Sequence, residues 1–262
     1  MHSIFIQRDL HVDCYGWSEL VRPLDADWSL RTTFLQQVDE ALAAEPSLDN
    51  VLQGLRHIHL GRRGGRPSYF PSKKNAPSGK TSVYMAAESR LEAAAALMFE
   101  QDPSVVAYRM QAVKVPLPGN RTAYPDFVTV DKQGRLLVTE VKVDSRHQSA
   151  DAVADQAHVG NVLGRWGIDY QVLDTRDFPA KFVHDNLLWL HSQYGTPPND
   201  VDCAALLAEM RVEQAVRHTY GGLRDLCCAL SLPVGAVPHL LFVGTLQVDW
   251  KRPIDDATEI WK

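Results

Sequence analysis

Two short apolar-rich runs, Ala123 to Val130 and Arg135 to Val143, are separated by Asp131-Lys132-Gln133-Gly134. Polar residues closed by a glycine between such runs read as a hairpin turn, so two adjacent antiparallel strands are expected. Ser149 to Trp166 then carries an apolar face of Val153, Ala157, Val159, Val162 and Leu163, which reads as a helix, and Ile168 to Leu173 reads as a strand. Strand, helix and strand in that order require a crossover and a parallel neighbour. The chain is therefore expected to be α/β, a mixed sheet flanked by helices. Its 262 residues, 45% hydrophobic and 23% charged, are enough for one large domain or two modest ones.

The hairpin also carries chemistry. Asp126 lies on its first strand and Glu140 and Lys142 on its second, and residues two apart on a strand share a face. If Asp131 and Gly134 pair across the turn, Asp126 falls opposite residue 139; a one-residue bulge at Gly134 moves that partner to Glu140. Carboxylates crowded together repel unless a cation sits between them, which suits a hard, oxygen-loving ion such as Mg2+. Such an ion polarises a phosphoryl oxygen and activates water, with Lys142 stabilising developing charge, so phosphodiester hydrolysis is the natural reading. The plain alternative is a surface hairpin with an ordinary cross-strand ion pair.

Ser89-Arg90-Leu91-Glu92 opens an Ala-rich run through Phe99 made of strong helix formers, stopping at Gln101-Asp102-Pro103. Glu92 sits in the first helical turn, where a third carboxylate could face the same ion. Ser89 with Glu92 three residues later also spells a capping box, and the two roles are compatible.

SRLEAAAALMFEQDPSVVAYRMQ, then YPDF, then TEVK, resembles the nuclease domain of TnsA, the endonuclease subunit of heteromeric cut-and-paste transposases. Glu92 matches that family's helical glutamate, Asp126 the aspartate of its PDF strand, and Glu140 with Lys142 its E-x-K pair; Val105, Val106, Tyr108 and Gln111 match the strand between helix and hairpin. The match is close from about Thr81 to Phe178 and loose beyond it. The resemblance implies a restriction-endonuclease-like fold and a Mg2+-dependent endonuclease, with Mn2+ as a substitute, nicking double-stranded DNA at transposon 5′ ends. It also implies a partner transposase subunit and an AAA+ ATPase regulator. Asp126 and Glu140 would ligate the metal with the Val141 carbonyl, and Glu92 would complete the site or hold a second ion. Two other classes stay open: a stand-alone restriction or repair nuclease, and a non-catalytic DNA-binding assembly subunit.

Between Arg62 and Lys80 lie Arg62, Arg63, Arg66, Lys73, Lys74 and Lys80 without an acidic residue, interleaved with Gly and Pro. This stretch reads as too poor in apolar residues to fold alone, either a solvated linker or a DNA-contacting arm with Tyr69 and Phe70 available for stacking. The formal net charge of −5 argues against a histone-like or generally polyanion-coated protein. An amphipathic helix is expected over Trp28 to Leu42, with Trp17 to Leu20 apolar ahead of it. Val51 to Leu60, holding His57 and His59, reads as helix or strand.

Past the break at Tyr194 to Asp200, a helix carrying Val201, Ala205, Leu206 and Met210 and a second from Leu223 to Leu230 precede the apolar run Val237 to Val243. With a strand pair from Thr245 to Trp250 and Glu259 to Trp261, they suggest a small winged-helix-like domain. Ten Asp and Glu against six Lys and Arg from Asp185 onward weigh against a strongly DNA-gripping wing and leave protein contact open. The expected division is 1–80 (helper region and basic linker), 81–184 (nuclease-like domain) and 185–262 (winged-helix-like domain). Cys14, Cys203, Cys227 and Cys228 form no C-x-x-C pair and read as reduced thiols. No signal peptide or apolar span of the ~20 residues a membrane helix needs is present, so no membrane partner and a cytoplasmic protein are expected.

Overall fold

The computed structural model describes residues 25–45, 55, 68–212 and 217–262. Helix α1 (Asp25–Ala43) is followed by strands β1 (Ser68–Ser72) and β2 (Val83–Ala87), helix α2 (Arg90–Gln101) and strand β3 (Val105–Met110). Short strands β4 (Val115–Leu117) and β5 (Arg121–Ala123) lead to β6 (Phe127–Asp131) and β7 (Leu136–Val141). Helix α3 (Ala150–Arg165) returns the chain to β8 (Asp169–Leu173), and α4 (Lys181–Ser192) leaves it. The remainder is α5 (Asp200–Val212), β9 (His218–Thr219), α6 (Tyr220–Ala229), α7 (Ala236–Phe242) and β10 (Glu259–Ile260).

The main sheet has the order β3-β6-β7-β8, with β6 antiparallel to both neighbours and β7 parallel to β8. The protein is thus α/β with a mixed sheet flanked by helices. Alternation along the strands sends Val128 and Val138 to one face, where they are fully buried with Val159, Val162, Leu163 and Trp166 around α3. Phe127 and Val141 point to the other, packing with Leu97, Phe99 and Tyr108. Ala95 and Ala96, both fully buried, let α2 approach this second face closely. Phe99 and Phe127 meet edge to face with centroids 5.1 Å apart. An aromatic pair in this geometry adds about 0.5–1.5 kcal/mol beyond its area burial.

The first expected hairpin strand is divided. Arg121–Ala123 pairs with Val115–Leu117, and β6 begins only after Tyr124-Pro125-Asp126. Pro125 has no N–H to give a ladder, so one bond is missing at this break. Gly134 takes φ +76°, the left-handed conformation a three-residue loop with a bulge requires, and Phe127 pairs with Thr139. Continued by one residue, that register sets Asp126 level with Glu140, the bulged alternative.

Two expectations are corrected, and the apolar run Val237 to Val243, for which no element was expected, takes one. The basic stretch is not structureless where it is described: Ser68–Ser72 pairs with Val83–Ala87, and Phe70 is 3% exposed in the core. Alternating burial of Phe70 and Ser72 anchors what a Gly, Pro and Lys count reads as linker. Val237 to Val243 is mostly the helix Ala236–Phe242, closed by Gly244 at φ +75°. Thr245 to Trp250 does not form a strand pair with Glu259 to Trp261; a single Gln247–Trp261 bridge is made, and Glu259–Ile260 pairs with His218–Thr219. The turn in which Asp249 Oδ1 accepts the Lys251 N–H interrupts any longer strand there.

The expected boundaries at 80/81 and 184/185 fall between the paired β1 and β2 and inside α4. One apolar cluster runs from Phe70 and Phe127 through Leu187 and Leu190 to Leu206, Leu223 and Ile260. Arg62, Arg63, Arg66, Cys14, Trp17 to Leu20, His57 and His59 lie outside the described residues. Cys203 and Cys227 are buried free thiols and Cys228 is an exposed one. Among the described residues no helix is long and apolar enough to cross a membrane.

Candidate active site

The end of β7 organises the candidate site. Lys142 N–H donates to Leu173 O of β8 at 2.8 Å, so by alternation the N–H and C=O of Val141 face the β6 side. There β6 has not yet begun, and the Asp126 carboxylate takes the place of a strand partner: its Oδ2 accepts the Val141 N–H at 2.7 Å. The Val141 carbonyl points past the same strand end. Glu140 and Lys142 share the α3-side face of the sheet, and the Lys142 ammonium donates to Glu140 Oε1.

Electrostatics bind these groups together. Burial, then the charges of Glu140 and Glu92, push the Asp126 carboxyl well above the usual range, against the opposing effect of the Val141 N–H and Lys142. Burial alone would lower the Lys142 ammonium; the carboxylates of Glu140, Asp126 and Glu92 outweigh it and raise it. Tyr170, whose β8 position pairs with Val138, also feels the site: burial and then the Glu140 and Asp126 charges raise its phenol. Gly160 of α3 leaves room for that ring, since a Cβ there would stand 3.1 Å from Tyr170 Cδ1. Tyr170 was not among the residues the sequence singled out; its one signal, β8 pairing in parallel beside β7, exists only once the sheet is assembled.

Glu92 arrives from α2, on the opposite face. Its backbone N–H donates to Ser89 Oγ at 3.1 Å, its Oε1 accepts from the Ser89 hydroxyl at 2.9 Å, and its Oε2 accepts the Glu88 N–H at 2.9 Å. The Ser89 half of the capping box is formed, while Glu92 reaches back one residue further, to the Glu88 N–H. Burial, then the neighbouring Glu88 and Glu140 charges, raise its pKa despite these bonds. Ser89→Ala is expected to cost about 1 kcal/mol of stability by removing this cap, read as a lower urea midpoint with unchanged slope.

Among the described residues no three His, Cys, Asp or Glu side chains are grouped to hold a metal ion. Each Glu92 oxygen meets one donor at the start of α2. What remains suited to a cation is a pair of carboxylates and a carbonyl at one strand end, all hard oxygen donors in a region of excess negative charge. That donor chemistry fits Mg2+ or Mn2+ and not a soft metal.

No protein-family model matches the chain, and no curated protein matches it.

The expected DNA-contacting lysines divide. Lys73 Nζ donates to His191 O and Tyr194 O at the end of α4, and Lys74 Nζ to Phe99 O and Val105 O, each at 2.7 Å for Lys74, and to Asp102 O at the end of α2. Burial pushes both ammoniums down to about 8. Both ammoniums meet carbonyls at helix C-termini, where the dipole favours a cation. Lys80 stays exposed, paired with Glu45. After β7, Asp144 accepts the Arg146 N–H and guanidinium and stands 2.8 Å from His147 Nδ1, closing the loop on itself.

Proposed function

We propose that the chain is a Mg2+-dependent DNA endonuclease that hydrolyses phosphodiester bonds at transposon 5′ ends within a heteromeric transposase, as the TnsA-like motifs imply. The observation that carries this reading is the placement of Asp126 level with Glu140 across the start of β6, with Lys142 on the Glu140 carboxylate. The succession α2, β3, β6, β7, α3, β8 supports a restriction-endonuclease-like core. The three helices α5 to α7 with the β9–β10 ribbon support a winged-helix-like end, the region to which an AAA+ regulator would bind.

Asp126, Glu140 and the Val141 carbonyl would hold Mg2+, or Mn2+ in its place, and the bound ion would supply Lewis-acid polarisation of a phosphoryl oxygen and a more acidic water. The Val141 N–H fixes the orientation of Asp126. Lys142 holds Glu140 in place and offers an ammonium to negative charge developing on the phosphate. Glu92 adds to the field that makes this end of the sheet attract a cation. Arg62, Arg63, Arg66 and Lys80 remain the cations of the preceding segment available to the DNA backbone.

The test is nicking of a plasmid carrying candidate transposon ends, with Mg2+ or EDTA, with and without a co-encoded transposase. Cleavage that needs metal and the partner supports the proposal; cleavage by the chain alone moves it to a stand-alone nuclease. Absence of metal-dependent cleavage in every combination returns the hairpin to scaffold.

A further inference from the structure

The C-terminal region is acidic in sum, yet three of its six Lys and Arg come together. A cleft of about 390 Å3 is lined by Arg211, Arg217, His218, Trp261 and Lys262, with Glu259 as its acidic residue among the described residues and Met210 and Ile260 buried beneath. The arrangement is held by backbone pairing. Ile260 pairs with His218 across the β9–β10 ribbon, and the Gln247 bridge holds Trp261 through N–H to carbonyl bonds of 2.8 and 3.1 Å. Trp261 is nonetheless 48% exposed. A large indole kept half in water, on a fixed backbone between cations, presents a ready stacking face. His218 Nε2 is buried and has no hydrogen-bond partner among the described residues. Arg217 is held by Glu259 at 2.8 Å with its side chain 84% exposed.

We propose that this cleft binds a single-stranded nucleic-acid segment, an unpaired base stacking on Trp261 while Arg211, Arg217 and Lys262 meet its phosphates. Cations beside an exposed aromatic are what single strands require, because every base has a π-face and each phosphate contact releases counterions. A duplex would offer the phosphates but no accessible base face to Trp261. The inference is independent of the hydrolytic reading, since no residue of the cleft belongs to the Asp126 site.

The experiment is fluorescence anisotropy of a labelled single-stranded oligonucleotide titrated with the full chain in EDTA, over stepped KCl. Arg211→Ala with Arg217→Ala is expected to flatten the slope of log affinity against log salt by about 1.4, at roughly 0.7 per lost phosphate contact. Trp261→Ala should weaken binding roughly 5- to 150-fold, the range of one base–aromatic stack, and Trp261→Phe should restore most of it. Glu259→Gln should tighten binding by freeing Arg217, the opposite sign from loss of a structural ion pair. No binding by wild type, an unchanged salt slope in the double variant, or equal affinity of Trp261→Ala and wild type each overturns the proposal. Tighter binding of blunt duplex than of single strand overturns it too.

Discussion

Asp126→Asn is expected to abolish metal-dependent cleavage, by about 10³-fold or more, while raising the melting temperature of the metal-free protein. The two effects have one cause. Burial and the Glu140 and Glu92 charges make an ionised Asp126 costly, so the folded state carries that cost unless a cation is bound. Replacing the carboxylate by a neutral amide removes the cost and with it a metal donor, a loss of several kcal/mol of transition-state stabilisation. Mg2+ should raise the melting temperature of the wild type and leave the variant unmoved. Lys142→Ala should also lose cleavage, by roughly 10²–10³-fold as for loss of one charge-stabilising group. A variant that cleaves at the wild-type rate would remove its residue from the mechanism. An Asp126→Asn protein less stable than wild type would mean that burial and the Glu140 and Glu92 charges do not burden the folded state.

The largest stability effect is expected at Glu100, which joins three elements. Its Oε1 accepts from Ser72 Oγ at 2.6 Å, Tyr108 Oη at 3.0 Å and the Lys73 N–H at 3.2 Å, and its Oε2 accepts the Lys74 N–H at 3.3 Å. His191 Nε2 of α4 stands 3.6 Å from Oε2, an electrostatic approach longer than a hydrogen bond. Glu100→Ala would strand these donors and take a counter-charge from the Lys73 and Lys74 ammoniums, at a cost of about 3–5 kcal/mol. Urea unfolding would show it as a lower midpoint.

The same joint sets the acid limit of the fold. Burial by itself would push the Glu100 carboxyl up, but His191 and the Ser72 and Tyr108 hydroxyls outweigh it and hold it below the usual range. Burial pushes the His191 imidazole down from its ordinary 6.5. Both groups bind protons more readily in the unfolded chain, so both contributions have the same sign. Stability is whole above pH 6.5, begins to fall as His191 must charge, and falls further below 4.5 as Glu100 must protonate. Urea midpoints that stay level from pH 7 to pH 4 would show that neither group is coupled to folding.

The hairpin, the α2 capping box and the β7-α3-β8 crossover were legible because each is written locally. A Gly-closed turn, a Ser89 to Glu92 spacing and an apolar periodicity need only neighbours in the chain. The same local reading failed between Lys73 and Lys80. There, composition describes a solvated linker, while the long-range partners, helix ends some 25 to 120 residues away, draw two lysines inward. The C-terminal strands misread for a like reason, since β10 finds β9 rather than its nearer neighbour.

By itself the sequence determined which residues could share one strand end: Asp126, Glu140 and Lys142 follow from a period of two and a turn of known length. Only the folded structure decided between the two registers, through the pairing of Phe127 with Thr139. It alone gave each oxygen of Glu92 a donor at the helix start, brought Tyr170 alongside, and collected Arg211, Arg217 and Lys262 around Trp261 in an otherwise acidic region. Chemistry carried by adjacent residues is encoded in local conformational preference. Chemistry that depends on packing across the chain is set by burial and by the hydrogen bonds that burial makes obligatory.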